Sequence, residues 1–228
     1  MESKLNDYLS DLVSINSINP DLSSEGQGEY EIAQYVASHF KKIGIDYNLD
    51  EVINDRYNVS ALLNGQDRNK ILLMNGHLDT VGAEGIENPF TLRKDGDRLY
   101  GRGTYDMLAG CAIQMCLAEY FKDNLCPISL AFTFVCDEEN KSIGMEHLVK
   151  SFIPSLPSTP FLGIFMEPTE GMIGICHKGY NWYKLKIKGL AAHGSRPDEG
   201  INAIFPLQYA LAELNTINDN LSKKDPHP

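Results

Sequence analysis

The run ISLAFTFVCDEEN, Ile128 to Asn140, decides how the chain is read. Strand-forming, largely apolar residues lead through Cys136 into three consecutive acids, Asp137, Glu138 and Glu139. The run predicts a buried strand, and side chains along an extended chain alternate faces, so Glu138 and Glu139 diverge while their charges stay close. Such a cluster repels itself unless something positive sits nearby.

Two other apolar runs end in the same way. ILLMN passes through Gly76 into His77, Leu78 and Asp79, and FLGIFM runs into Glu167 and Pro168. Between the first two acidic strand ends, GRGTYDM delivers Asp106 at the start of a helix expected from Met107 to Phe121. Upstream, Leu5, Leu9, Leu12 and Val13 recur at helical spacing, as do Ile32, Val36, Phe40 and Ile43 before the stop at Gly44. IDYNLDEV, YNVSALLNG and KILLMNG read as strands with a turn at Asn64-Gly65, and a further helix is expected near Ile143 to Phe152. This alternation implies an α/β fold, a three-layer catalytic domain over residues 1–178 with a mostly parallel, twisted sheet. Open sheets of that kind place their binding crevice outside the carboxyl ends of the strands, where the His and carboxylate residues fall.

The texture changes at Lys178. YNWYKLKIK puts Tyr183, Leu185 and Ile187 on one face and Trp182, Lys184, Lys186 and Lys188 on the other, the pattern of a strand with one wet side. With a helix over about Asn202 to Leu214, residues 179–228 read as the beginning of a smaller α+β lid or dimerisation domain. One strand and one helix cannot close a core, so this unit is expected to be incomplete.

At 228 residues and 43% hydrophobic content the chain can bury a sizeable core. Its formal charge of −11 argues against nucleic-acid partners, which require basic surfaces. No apolar block of signal or membrane-spanning length is present, so a cytoplasmic protein without membrane association is expected. Cys111, Cys116, Cys126, Cys136 and Cys176 form no CxxC pair and are expected to be reduced and mostly buried.

Each polar residue at the strand ends also has a plain role. A histidine after a strand is more often hydrogen-bonded than ligating, Asp106 could cap its helix, Glu138 and Glu139 could be a solvated strand end, and Glu167 could form an ion pair. Independent accidents would not repeatedly choose strand ends that converge on one edge. One imidazole and several carboxylates without thiolates suit zinc, cobalt or manganese in a catalytic rather than a structural site. An aspartate can bridge two ions about 3.5 to 4 Å apart, and Asp79 could take the second N–H of His77 and fix its tautomer. GRGTYDM is a poor dinucleotide loop, because Asp106 stands where the third glycine should be and would repel a pyrophosphate.

NGHLDTV, LYGRGTYDMLAG, CDEEN, MEPT and KGLAAHGSRPDEGINAI, in this order, resemble the superfamily of acetylornithine deacetylases, succinyl-diaminopimelate desuccinylases, aminoacylases and glutamate carboxypeptidases. The resemblance covers nearly the whole chain. It implies hydrolysis of an amide in an N-acylated amino acid or small peptide, with two zinc ions bridged by Asp106, His77 and Glu167 on one and Glu139 on the other. It further implies Glu138 as general base, Asp79 as the residue orienting His77, and His193 in the lid domain assisting the substrate carbonyl, often across a homodimer interface. Leu108 stands where the family usually has lysine, and Gly82 where proline often follows. A late histidine expected to complete the second metal site has no counterpart, and neither His177 nor His227 stands in its place. The sequence therefore reads as the amino-terminal part of such an enzyme. The competing reading is a non-catalytic fragment or binding domain that keeps the fold but lacks a complete site.

Overall fold

Apolar residues at helical spacing produce the two helices that open the chain in the computed structural model, which describes residues 2–176 and 183–224. Helix α1, Glu2–Ser14, buries Leu9, Leu12 and Val13, and helix α2, Tyr30–Ile43, buries Ile32, Ala33, Val36, Ala37 and Phe40. Helix α2 stops because Gly44 takes φ +70°, so that its N–H donates to the Lys41 carbonyl at 3.2 Å and the Ile45 N–H to the Phe40 carbonyl at 3.0 Å. Glycine reaches that left-handed conformation without a Cβ penalty.

Strands β1, Tyr47–Ile53, and β2, Arg56–Leu63, form a hairpin, and β3, Asp67–His77, follows. Strands β4, Arg93–Asp95, and β5, Arg98–Tyr100, make a separate small hairpin with the Arg93 guanidinium over the Tyr100 ring. Helix α3, Ala109–Asp123, leads to β6, Ile128–Val135, and the short helices α4, Ile143–Lys150, and α5, Phe152–Ser155, lead to β7, Leu162–Phe165. The main sheet has the order β1-β2-β6-β3-β7. Strands β3, β6 and β7 are parallel, and β2 is antiparallel to both of its neighbours, so only β2 runs against the common direction. This is the mostly parallel sheet that the alternation of elements predicts.

Strand alternation assigns the two faces. Leu130, Phe132 and Phe134 of β6 join Leu12, Ile32, Val36, Phe40 and Met115 in one core, beneath α1, α2 and α3. Ala131 and Val135 face the other way, where they pack with Ile71, Leu73, Leu148 and Phe152 under α4 and α5. Helices thus cover both faces, giving three layers. Parallel registry does the rest: His77 pairs with Val135 and Asn75 with Phe165, so β3, β6 and β7 end together on one edge.

The chain divides into two units, Met1–Ile173 and Gly174–Pro228. In the second, Leu190 and Ile201 form an antiparallel bridge, a 3-10 turn spans Pro197–Glu199, and helix α6 runs from Ile204 to Ser222. Of the strand expected over YNWYKLKIK, Tyr180 to Lys188, the described part, Tyr183 to Lys188, has no ladder partner among the described residues, and extended backbone becomes a strand only when its N–H and C=O groups are paired. Tyr180 to Trp182, His177 and His227 lie outside the described residues. Among the described residues no helix is long and apolar enough to cross a membrane. The cysteines are free, with Cys111, Cys116, Cys126 and Cys136 buried and Cys176 exposed.

Candidate metal centre

His77 is the last residue of β3 and is 1% exposed. Its ring is locked from behind, because Nδ1 lies 2.9 Å from the backbone carbonyl of Asp79. A carbonyl only accepts, so Nδ1 carries the proton in this bond and Nε2 faces outward. Nε2 stands 3.0 Å from Oδ1 of Asp106 and 3.9 Å from an oxygen of each of Glu138 and Glu167. Ligand atoms of His77, Asp106 and Glu139 all lie within 4.8 Å of one another. The structure therefore gathers residues from positions 77 to 167 at one sheet edge, with Glu167 reached through His77 rather than as a member of that closest trio.

Asp106 does not cap the following helix. It lies three residues ahead of α3 in extended backbone, φ −123° and ψ 102°, within an irregular turn over Thr104–Leu108. The Asp106–Met107 peptide is cis. The turn is launched by Gly103 at φ +77°, where an added Cβ would also meet Thr80 Cγ2 at 2.7 Å and Leu108 Cδ1 at 2.8 Å. Helix α3 and β3 approach closely around Gly76, and the Cys111 thiol sits 3.2 Å from the His77 carbonyl.

Asp79 meets His77 through its backbone as well as its side chain. Its carboxylate is 3.6 Å from Nδ1 of His77, whereas its backbone carbonyl makes the short contact. The carboxylate is engaged elsewhere: Oδ1 accepts the N–H of Glu138 at 2.9 Å, and Oδ2 accepts the N–H of Glu139 at 3.1 Å and the Asn19 side-chain amide at 2.8 Å. Burial works to raise its pKa, but His77, Asn19 and the Glu138 N–H outweigh that and hold it below the ordinary value.

The three acids that begin the acidic run are not equivalent. Asp137 takes a left-handed backbone, φ +59°, and is fully buried, pointing away from Glu138 and Glu139. Its positive partner is Arg56, at 3.1 Å, itself paired with the buried Glu29. Neither Arg56, Glu29 nor Asn19 was legible as a site residue, since each is a single polar residue far away in sequence. The one local hint was Arg56 standing directly ahead of the strand-like run YNVSALL.

Glu138 and Glu139 remain partly exposed at the sheet edge. Burial and then the nearby Asp106 carboxylate push the Glu139 pKa up to about 7, and burial with the charges of Asp106 and Glu138 does the same to Glu167, against the lowering effect of His77 in both. Glu138 is raised by burial as well. Burial favours neutral His77, but the carboxylates of Asp106, Asp79 and Glu167 overcome it and raise the imidazole to about 11. The protein's own charges leave this cluster short of positive charge. An imidazole and acidic oxygens without thiolate form a donor set suited to a divalent cation.

In the second unit His193 is exposed, with Nδ1 2.8 Å from the Ser195 hydroxyl and accepting the Ser195 N–H at 3.3 Å.

With this fold and this cluster in view, the likeness to known proteins is informative. Residues 73–212 match Peptidase family M20/M25/M40, and the chain belongs to that family. It is 34% identical over 215 residues to an uncharacterized metallohydrolase of Methanocaldococcus jannaschii, covering 85% of this chain and 52% of that protein. It is 30% identical over 227 residues to the acetylornithine deacetylase of Aliivibrio fischeri, covering 97% of this chain and 58% of that one. A tripeptidase from Staphylococcus aureus shares the fold at a TM-score of 0.66 and 20% identity, over 93% of this chain and 56% of its own. The chain thus spans somewhat over half the length of the curated relatives it matches.

Proposed function

We propose that this chain supplies most of the catalytic centre of a metal-dependent amidohydrolase that cleaves the amide bond of an N-acylated amino acid or small peptide. The observation that carries the reading is the contact between His77 and Asp106. With Nδ1 committed to the Asp79 carbonyl, Nε2 faces a carboxylate oxygen 3.0 Å away, a contact that needs either a proton or a metal ion between the two, and a divalent ion would take the place of the proton. His77, Asp106, Glu139 and Glu167 would hold two divalent ions, zinc in the first instance or cobalt or manganese. Such ions, when bound, supply Lewis acidity that lowers the pKa of water from about 15.7 toward 7 and polarises a carbonyl.

The roles of the protein side chains follow from their surroundings. Glu138, whose pKa is raised by burial, takes a proton from the attacking water and returns it to the departing amine. Asp79 holds the backbone of Glu138 and Glu139 through its carboxylate and the tautomer of His77 through its carbonyl. His193 accepts an N–H at Nδ1, which leaves Nε2 to carry a proton and to donate to the oxyanion that develops on the substrate carbonyl. The full-length protein is proposed to be a cytoplasmic homodimer, with no nucleic-acid or membrane partner.

The test uses the complete protein loaded with zinc or cobalt, assayed against acetylornithine, succinyl-diaminopimelate and simple dipeptides. Turnover of one of these, lost in Glu138→Ala with the metal content retained, is the expected result. Equal turnover by that variant would remove Glu138 from its role, and a protein with no bound metal would end the reading.

A further inference from the structure

Behind the acidic edge a line of buried polar side chains leads away from the site. Asn19 is fully buried and donates from Nδ2 to Oδ2 of Asp79 at 2.8 Å and to Oδ1 of Asp137 at 3.0 Å, joining two carboxylates. Arg56, 7% exposed, donates to the same Asp137 oxygen at 3.1 Å and grips both oxygens of Glu29. Glu29 is the N-cap residue of α2, but its side chain makes no capping bond; its Oε1 instead accepts the N–H of Asp137 at 3.0 Å. The N–H groups of Asp137, Glu138 and Glu139 are therefore held in succession by buried carboxylates, the first by Glu29 and the next two by Asp79.

We infer that Asn19 and Arg56 are positioning residues of the metal centre, which hold Asp79 and Asp137 and thereby the backbone from which Glu139 would reach a cation and Glu138 the attacking water. This rests on the metal reading proposed above. Neither residue touches the cluster of His77, Asp106 and Glu139 in the hydrogen bonds it makes; both act through the acids they neutralise.

Fold stability alone is a poor account of this arrangement. Burying ions costs about as much as their attraction returns, and apolar residues of similar volume would serve a core at least as well. A network that only stabilised the fold could sit anywhere in the sheet, yet here the bonds converge on the three residues that lead into the site. The left-handed turn at Asp137 shows the consequence: a side chain other than glycine is kept at φ +59°, which sends its carboxylate inward while its two successors stay at the edge. Asn19 is brought there by the segment before it, where Ile18 bridges Thr80, the Asn19 N–H donates to the Thr80 carbonyl at 2.8 Å, and the Thr80 N–H donates to the Ser17 carbonyl at 3.0 Å.

Cobalt(II) provides a readout other than turnover. The 228-residue chain, freed of metal with chelator, is titrated with cobalt, and both the dissociation constant and the visible absorption bands are recorded. Asn19→Ala and Arg56→Lys are compared with Phe40→Leu, which disturbs the aromatic core at the other end of α2 and lowers the melting temperature without touching the network. Loss of supporting contacts behind a metal site typically weakens binding about 10- to 100-fold. We expect that loss, with displaced bands, in one or both network variants that fold, and unchanged binding in Phe40→Leu. Affinity within about twofold of the unaltered chain and unshifted bands in the folded network variants would overturn the inference. So would an equal loss in Phe40→Leu, which would mark a general effect of lowered stability. An unaltered chain that takes up no cobalt would defeat the metal reading itself, a result distinct from either.

Discussion

Nε2 of His77 lies 3.0 Å from Oδ1 of Asp106, while Nδ1 of the same ring is held 2.9 Å from the Asp79 carbonyl. One edge of the imidazole is fixed by the backbone and the other is turned on a carboxylate, so the pair is stable only with a proton or a metal ion. Removing the carboxylate charge should therefore remove the metal. Asp106→Asn is expected to weaken zinc binding by more than about 100-fold, beyond the 10- to 100-fold effect typical of residues one shell out. Isothermal titration of the chelated chain checks this, and near-native affinity would show that Asp106 is no ligand.

The pH dependence has a definite sign. His77 is raised to about 11 from 6.5, and it faces Asp79, Asp106, Glu138 and Glu167; Glu139 and Glu167 are raised to about 7 from 4.5. In each case the folded chain binds a proton more tightly than the unfolded chain does. The carboxyl contributions are fully present below about pH 4.5 and are lost as pH rises through 7, and that of His77 is present below about 6.5 and declines toward 11. The melting temperature of the chelated protein should accordingly fall between pH 6 and 9, and saturating zinc should reverse the fall by replacing the protons. A melting curve that rises over this range without metal would contradict the assignment.

Asp79→Asn offers a test of the carboxylate's present duty. The amide has one oxygen where the carboxylate has two, so the N–H groups of Glu138 and Glu139 cannot both keep a good acceptor. An unsatisfied buried donor costs about 1–3 kcal/mol. Urea unfolding should show a loss of that size, together with weakened cobalt binding. A variant as stable as the parent would mean that the loop holds itself.

Gly103 is a further point of leverage. Gly103→Ala must place a Cβ at φ +77° and press it on Thr80 and Leu108. The left-handed penalty of roughly 1–2 kcal/mol is the minimum expected loss. Because the turn delivers Asp106, the same change should lower metal affinity. Unaltered thermal stability and affinity in this variant would show that the turn tolerates another path.

The layers were legible in the sequence because they rest on local patterns. Period-2 runs such as ISLAFTFV and helical spacing such as Ile32, Val36 and Phe40 record which face is buried, and burial is what forms those elements. His77, Asp106, Glu138, Glu139 and Glu167 stood out for a related reason, each marking an abrupt break from an apolar run or a glycine turn. The strand expected over Tyr180 to Lys188 forms no ladder in its described part, Tyr183 to Lys188, on the opposite ground, since amphipathic spacing describes a surface and pairing needs a second chain segment that periodicity does not name.

By itself the sequence determined the α/β architecture and the stock of acidic and imidazole groups at the ends of its strands. Only the tertiary structure decided how they divide: Asp137 turns inward to Arg56, Glu138 and Glu139 hang from the Asp79 carboxylate, and Asn19 ties the two halves together. These partners lie 59 to 118 positions apart along the chain. Hydrogen bonds over such separations are set by sheet registry and by the cost of leaving a buried charge alone, and neither is written in any local stretch of residues.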